Sequence, residues 1–160
     1  MLDFGIAGKT AVVCASSKGL GFGCADALGA VGTRLVMNGR TPETLAAAAE
    51  RIRQAHGVEV IDVASDITTE EGRAAVLEAA GHVDILVNNA GVTHQSGPME
   101  TVTEDEFDRV MAVNNKAVYL AALAFVPAMK AAGRGCILNI ASTAGVSPRP
   151  NLSWYNASKG

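Results

Sequence analysis

The sequence is poor in aromatic residues, in charge and in clusters of basic residues. Only 4% of its 160 residues are aromatic and 18% are charged, with a formal net charge of -3 at pH 7. Proteins that bind nucleic acid need a concentrated positive surface for the phosphates. The lack of any basic block therefore argues against nucleic acid as a partner.

Cysteine and histidine are also scarce, and their spacing fits neither disulfides nor a metal site. The three cysteines are far apart and contain no Cys-x-x-Cys pair. We interpret them as reduced core residues, which is typical of a cytoplasmic protein. The three histidines lack metal-ligand spacing, so we predict no metal site and expect the histidines on the surface or in loops. These six residues are Cys14, Cys24, Cys136, His56, His82 and His94.

The sequence shows no evident signal peptide and no long apolar span. Its first residues, Met1 to Gly5, lack a basic region followed by an apolar segment. The longest apolar run, 117–129, is shorter than the roughly 20 residues that span a bilayer, and it contains Pro127. We therefore expect a cytoplasmic protein with no membrane partner.

Hydrophobic residues and glycine are abundant, and they are arranged in alternating patterns. Hydrophobic residues make up 49% of the chain, and 17 residues are glycine. Short apolar runs typical of strands alternate with helical patterns, which predicts βαβ units around a parallel sheet in one domain, 1–160. The predicted strands are 9–14, 33–38, 58–64, 83–87 and 136–141.

Predicted helices occupy the segments between these strands, and three of them begin with a capping signal. The first helix is predicted at 20–31. Thr41 can cap the second, which has Pro42 at its first position and ends before Gly57. Thr68–Glu71 has capping-box form and opens a short third helix. Thr103–Glu106 is a second capping box, and the long helix behind it is expected to break near residue 114.

The stretch from Cys136 to Gly160 carries most of the candidate chemistry. Apolar residues at 137, 138 and 140 are typical of a buried parallel strand, and Ser142 follows where that strand ends. Prolines at 148 and 150 delay the next helix until about Leu152. Such a helix places Tyr155 and Lys159 four positions apart on one face.

A hydroxyl, a phenol and an ammonium group in one place could act together on one reacting oxygen. A cation at Lys159 favours the phenolate of Tyr155, which could then exchange a proton with an alcohol or carbonyl near neutral pH. The pair alone also fits a surface aromatic beside a solvated lysine. Ser142, thirteen positions before Tyr155, favours the catalytic interpretation.

The first predicted strand runs into a glycine-rich turn, Cys14-Ala-Ser-Ser-Lys-Gly-Leu-Gly21, that opens a helix. Gly19 and Gly21 permit close backbone approach, and the helix beginning at Leu20 offers free N–H groups and a positive dipole to a pyrophosphate. A plain turn between strand and helix remains the alternative.

The end of the second predicted strand carries a cation where an acidic residue would indicate NAD. That strand ends Asn38-Gly-Arg40, without the acidic residue that usually binds the ribose 2′-hydroxyl. Arg40 could instead bind a 2′-phosphate, which favours NADP as the cofactor. Lys18 is a second cation, just before Gly19. Two solvated surface cations are the alternative.

Taken together, the motifs resemble those of the short-chain dehydrogenase/reductase family. The match rests on Ser142 and Tyr155-Asn-Ala-Ser-Lys159, on Asn88-Asn-Ala-Gly91 after the fourth strand, and on the Asn of Val113-Asn114. Asn115 is the neighbouring alternative to Asn114. The family's turn, Thr-Gly-x-x-x-Gly-x-Gly, is altered here, because Cys14 and Ala15 replace its first two residues.

The resemblance implies a Rossmann-type α/β fold, a doubly wound parallel sheet with strand order 3-2-1-4-5. It implies NADP-dependent hydride transfer with a carbonyl or alcohol substrate, similar to 3-oxoacyl reductases. The implied catalytic residues are Asn114, Ser142, Tyr155 and Lys159. The implied cofactor-binding residues are Ala15, Ser17, Lys18, Gly19, Leu20, Gly21, Arg40, Asp66, Ile67, Asn88, Ala90, Gly91, Tyr155 and Lys159.

The resemblance also implies a homo-oligomer, either a dimer or a tetramer. Because family members continue beyond the Tyr-x-x-x-Lys motif, the chain is expected to be an N-terminal portion whose fifth strand is an unpaired edge. By itself this portion is expected to be a poor enzyme. A nucleotide-binding regulatory protein without turnover is the first alternative. A Ser/Lys hydrolase is the second, although the sequence has no Gly-x-Ser-x-Gly elbow.

Overall fold

A five-stranded parallel sheet forms the centre of the molecule, with strand order β3-β2-β1-β4-β5. The structure is a computed structural model and describes residues 4–160. The strands are β1 Thr10–Val13, β2 Arg34–Gly39, β3 Val60–Ala64, β4 Ile85–Asn88 and β5 Cys136–Asn139. The predicted fold class and strand order are confirmed.

Helices connect the strands, as the alternating pattern predicts. They are α1 Gly19–Ala30, α2 Pro42–His56, α3 Glu70–Ala80, α4 Glu104–Met111, α5 Ala117–Ala131 and α6 Ser153–Lys159. A π-helical turn, Ala112–Lys116, joins α4 to α5, and two short 3-10 turns lie at Met99–Thr101 and Thr143–Gly145. Gly57 ends α2 in the left-handed conformation, with φ 66°.

The sheet separates two hydrophobic layers because neighbouring residues of a strand face opposite sides. On one side, Leu35 and Met37 of β2 pack with Leu45 and Ile52 of α2. On the other side, Val36 joins residues of α3, α5 and β4. These β2 residues are fully buried, so both faces of the sheet are covered at β2.

Helix capping differs in detail from the sequence prediction. Thr41 holds the N-cap position of α2 but makes no side-chain cap bond. The predicted box at 68–71 is wrong by one residue, since Thr69 is the N-cap and accepts a bond from Gly72 N–H at 3.0 Å. Thr68 instead donates its hydroxyl to Asp66, at 2.7 Å.

The second predicted capping box is only half formed. Thr103 caps α4 by accepting a bond from the Glu106 N–H, at 3.2 Å. The Glu106 carboxylate does not return the bond to Thr103 and instead accepts one from Gln95 N–H, at 3.2 Å. The loop before α4 is thereby tied to the first turn of the helix.

The predicted break near residue 114 is a change of helical pitch, not an interruption. The helix is continuous from Glu104 to Ala131, and by length and composition alone it could cross a membrane. Phe125 and Met129 of this helix are buried in the hydrophobic layer against the sheet. A π turn inserts one extra residue per turn, and such turns are frequent at functional sites.

Two burial predictions are wrong, and both concern β5. The apolar run of β5 was expected to be buried but is exposed, and Leu138 is 47% exposed. The expectation that the fifth strand forms an edge is confirmed, because β5 lies at one end of the strand order. Cys136 is likewise exposed, although Cys14 is buried and burial raises the pKa of its thiol to about 12. His94 lies in a loop, as expected, and its side chain is buried.

Candidate active site

A cleft of about 470 Å³ lies at the carboxyl ends of strands β1 to β4. Ligands of open parallel sheets bind at this edge, where connecting loops diverge. The cleft is lined by Ala15, Ser17, Lys18, Asn38, Gly39, Arg40, Thr41, Thr44, Ser65, Asp66, Ile67, Thr68, Ala90, Gly91, Val92 and Val113. Predicted cofactor residues in this lining are Ala15, Ser17, Lys18, Arg40, Asp66, Ile67, Ala90 and Gly91.

The glycine-rich turn after β1 contains a left-handed alanine and is held by the side-chain amide of Asn89. Ala15 has a left-handed conformation, with φ 51°. The Asn89 amide donates to the carbonyls of Cys14 and Ala15, at 3.1 and 3.0 Å. A Cβ on Gly21 would overlap Ala15 O and Asn89 Nδ2, so this glycine serves packing within the turn. Gly19, Leu20 and Gly21 do not line the cleft.

A buried asparagine, Asn38, ties the turn after β1 to the end of β3. Its backbone N–H donates to the Ser16 hydroxyl at 3.1 Å, and Ser16 N–H donates to its carbonyl at 2.8 Å. Its side-chain amide donates to Val63 O and to Ser65 O, at 3.1 and 3.0 Å. Asn38 thus fixes two loops of the cleft relative to each other.

Two exposed cations and one carboxylate lie at the mouth of the cleft. Lys18 and Arg40 line it and are solvent exposed. Asp66 accepts bonds from the hydroxyl and N–H of Thr68, which lower the pKa of Asp66, and the charge of Arg40 adds to that lowering. The carboxylate is therefore held ionised by local groups.

Helix α6 brings the predicted catalytic lysine to the same edge of the sheet. The Lys159 ammonium donates to the Ile140 carbonyl, at 3.0 Å, just beyond β5. It also lies beside Gly91, whose added Cβ would be 3.4 Å from Lys159 Nζ. Because Gly91 lines the cleft, the structure brings Lys159 together with the loop after β4.

The π turn aims Asn114 at this loop and at α6. Its carbonyl oxygen accepts from Val92 N–H at 2.8 Å, and its amide donates to Val92 O at 2.9 Å. The same amide donates to the Ser158 hydroxyl at 2.8 Å. Asn114 is buried and Asn115 is exposed, although Asn115 also donates to Ser158 O.

The remaining predicted site residues lie outside the lining of the cleft. Ser142 lies three residues beyond β5, and its hydroxyl accepts a bond from Ala144 N–H, at 3.1 Å. Tyr155 is half-buried on α6, one turn before Lys159. Asn88 lies within β4 and donates to Asn139 Oδ1 at 2.8 Å, which links β4 to β5.

Sequence reasoning missed several residues of this site. The unpredicted residues lining the cleft are Asn38, Gly39, Thr41, Thr44, Ser65, Thr68, Val92 and Val113. The signal available for Asn38 was a polar residue at the end of an otherwise apolar strand. Asn89 was part of the quoted Asn-Asn-Ala-Gly segment, but its bond to a turn more than 70 positions earlier follows only from the fold.

Comparison with known proteins finds similarity over most of the chain. A family model described as short chain dehydrogenase matches residues 9–160. The 2-(R)-hydroxypropyl-CoM dehydrogenase of Xanthobacter autotrophicus is 37% identical over 158 residues, which cover 95% of this chain and 63% of that protein.

Solved structures show the same similarity. The L-sorbose reductase of Gluconobacter frateurii, complexed with NADPH and L-sorbose, matches with a TM-score of 0.94 and 34% identity, over 99% of this chain and 61% of its own. The 3-ketoacyl-(acyl-carrier-protein) reductase of Brucella melitensis, complexed with NADH, has a TM-score of 0.88 and 41% identity, over 96% and 65%. The chain therefore spans a little over three fifths of these relatives.

Proposed function

Since the chain belongs to the short-chain dehydrogenase family, we propose that it transfers a hydride between NADP(H) and a carbonyl or secondary-alcohol substrate. The observation that carries this proposal is the position of α6. Its Tyr155 and Lys159 are one turn apart, and Lys159 reaches the loop that lines the cleft. A proton donor beside a dinucleotide-sized cleft suits reduction of a carbonyl.

The residues around the cleft fit an anionic dinucleotide. At the start of α1, Lys18 makes no side-chain cap bond and the first turn has no acidic residue. Free N–H groups and the helix dipole can therefore meet a pyrophosphate there. Lys18 and Arg40 supply exposed positive charge at the mouth of the cleft, as a 2′-phosphate requires. Asp66 and Ile67 would contact the adenine.

NADPH, when bound, supplies the hydride, and the chain's own residues manage the proton and the charge. In this proposal Tyr155 donates a proton to the substrate oxygen, and Ser142 donates a hydrogen bond to the same oxygen. Lys159 holds the nicotinamide ribose and supports Tyr155 electrostatically. Asn114 sustains the proton path by which Tyr155 regains the proton that it has donated. The floor of the cofactor site is formed by Asn88, Ala90 and Gly91.

The preference for NADP over NAD rests on this chain's residues, because similar structures contain NADPH in one case and NADH in another. Strand β2 ends at Gly39 and is followed by Arg40, without an acidic residue that would repel a 2′-phosphate. Arg40→Asp should therefore weaken NADPH relative to NADH by about 1–3 kcal/mol, the scale of a charge-assisted contact.

Fluorescence titration of both cofactors against both proteins measures this change. Arg51→Asp is the matched control, because Arg51 is exposed on α2 and lies over the Phe22 ring, outside the cleft lining. The control should keep the parent's preference. Equal affinity of the parent protein for NADPH and NADH would refute the NADP assignment.

Turnover separates the enzyme from the non-catalytic alternative. Steady NADPH oxidation in the presence of simple ketones is expected if the chain is a reductase. Binding of NADPH without any oxidation across a panel of ketones and ketoses would favour a nucleotide-binding regulatory protein instead.

We further propose that residues 1–160 form a single dinucleotide-binding domain of a cytoplasmic homo-oligomer, either a dimer or a tetramer. One continuous sheet supports the single domain. Exposed apolar side chains on α5 support association, since Tyr119 is 61% exposed and Leu123 is 57% exposed. The three free cysteines support a reducing compartment.

A further inference from the structure

The turn that carries Ser142 meets helix α6 at a glycine. An added Cβ on Gly145 would overlap the carbonyl oxygen of Lys159 and lie 2.6 Å from its carbonyl carbon. Backbone atoms of α6 occupy this space, so a larger residue at 145 would push the turn and the helix apart. Gly145 therefore sets the spacing between the elements that carry Ser142 and Lys159.

A second contact of α6 is made through Ser158. Its side chain is buried, and its hydroxyl donates to the Tyr155 carbonyl at 2.8 Å while accepting from the Asn114 amide at 2.8 Å. The Asn115 amide adds a bond to the Ser158 carbonyl, at 3.1 Å. One serine thus joins α6 to the π turn through both its side chain and its backbone.

Helix α6 carries both Tyr155 and Lys159, so its position decides where these two side chains lie. Catalytic side chains must be held to within about 0.5 Å of their working geometry. Contacts with neighbouring elements hold α6, and Gly145 and Ser158 make two of these contacts.

We propose that Ser158 and Gly145 are positioning residues, which fix Tyr155 and Lys159 relative to Asn114 and Ser142. The proposal rests on the proposed reductase function for its catalytic consequence. Ser158 touches neither substrate nor cofactor in this account, and it acts through the residues on either side of it. Gly145 acts through the absence of a side chain.

Ser158→Ala tests the proposal with the least disturbance, since alanine suits a helix and removes only the hydroxyl. We expect kcat for ketone reduction to fall about tenfold to a hundredfold, the cost of a displacement near one ångström. The NADPH Kd should rise by no more than about threefold, because Lys159 is one cofactor contact among several, and the turn after β1 and Arg40 are untouched. Ser147→Ala, at an exposed position before α6, should change neither value.

Hydrogen exchange of the α6 amides provides a second readout that does not depend on turnover. Faster exchange at 153–159 in Ser158→Ala, with α1 unchanged, is expected. Parent-like kcat and parent-like α6 exchange in this variant would overturn the proposal. If the parent shows no reductase activity, the proposed function fails, and α6 exchange alone decides whether Ser158 holds the helix.

Gly145→Ala should reduce kcat more strongly than Ser158→Ala, because it forces the turn away from the backbone of Lys159. Gly23→Ala is its control, since Gly23 is exposed on α1 and has open space around it. A Gly145→Ala protein with parent-like kcat would contradict the assigned role of Gly145, whatever its thermal stability.

Discussion

Ala15 shows how one residue can depart from a family pattern without changing the turn it belongs to. It stands where the family's turn has its first glycine, and it adopts φ 51°, in the left-handed region. A side chain there costs free energy, about 1–2 kcal/mol for an ordinary residue. Two bonds from the Asn89 amide and the packing of Gly21 hold the turn in place.

Ala15→Gly should therefore stabilise the protein, because glycine adopts this conformation without steric cost. The gain should be about 0.5–1 kcal/mol in the free energy of unfolding, after the added flexibility of the unfolded chain is subtracted. Urea unfolding measures it. The same substitution at Ala27, an exposed residue within α1, should lower stability by about 1 kcal/mol. Loss of stability in both variants would contradict the strain assigned to Ala15.

For individual residues, the sequence indicates candidate side chains but not the bonds that hold them. Tyr155, Lys159 and Gly91 were expected from motif and spacing. The buried bonds of Asn38 and Ser158 were not, because their partners lie 22 to 44 positions away. Such bonds depend on tertiary packing, which no local pattern encodes.

At the scale of elements, the prediction of strands and helices is confirmed, but their ends move by one or two residues. The cap of α3 shows the physical reason. Thr68 and Thr69 are both suitable caps by sequence, and Asp66 takes the Thr68 hydroxyl, which leaves Thr69 to cap the helix. The bond from Thr68 to Asp66 in the preceding turn therefore decides which of the two neighbouring hydroxyls caps the helix.

Thr69→Ala should lower the free energy of unfolding by about 1 kcal/mol, since it leaves the Gly72 N–H without its cap. Thr41→Ala is a matched control at the N-cap of α2, where the hydroxyl makes no cap bond. Its effect should be within about 0.5 kcal/mol of zero. Thermal and urea unfolding of both variants measure the difference. Equal losses from both would show that the threonine hydroxyl at 69 is not the stabilising group.

In the molecule as a whole, the strand order was predicted from the family resemblance. The alternation of strands and helices predicts a parallel sheet, but it does not predict the order of the strands within that sheet. The exposed fifth strand follows from that order, with β5 beside β4 at the edge. Burial of an apolar run therefore depends on what lies next to it in the fold. The residues of β5 could not reveal this by themselves.

The carboxylate of Asp84 lies near the amino ends of β1, β4 and β5, away from the cleft, and its ionisation makes the free energy of unfolding depend on pH. Asp84 accepts bonds from Thr10 N–H at 3.1 Å, from Arg134 Nε at 2.7 Å and interacts with His82. Burial would raise the pKa of Asp84, but the bonds from Arg134, Thr10 and His82 outweigh it and lower the pKa to about 2.

The stability that Asp84 contributes is present above its unfolded pKa, near 3.9, and is lost as the pH falls toward 2. Asp84→Asn should lower the free energy of unfolding at pH 7 by about 1–2 kcal/mol, and the difference should shrink between about pH 4 and pH 2. Asp108→Asn, at an exposed position of α4, should show little change. A difference that is constant from pH 7 to pH 2 would exclude ionisation of Asp84 as its cause.

The proposed role of Tyr155 as proton donor of an NADPH-dependent reductase is tested most directly by two tyrosine variants. Tyr155→Phe keeps the ring and removes the hydroxyl, so kcat with a reducible ketone should fall by about 10²–10⁴-fold while NADPH binds with nearly parent affinity. Tyr119→Phe, on an exposed part of α5, should retain both kcat and NADPH affinity. Steady-state kcat and NADPH titration of both variants measure this split. A Tyr155→Phe protein that keeps most of its kcat would contradict the assignment of Tyr155 as the acid.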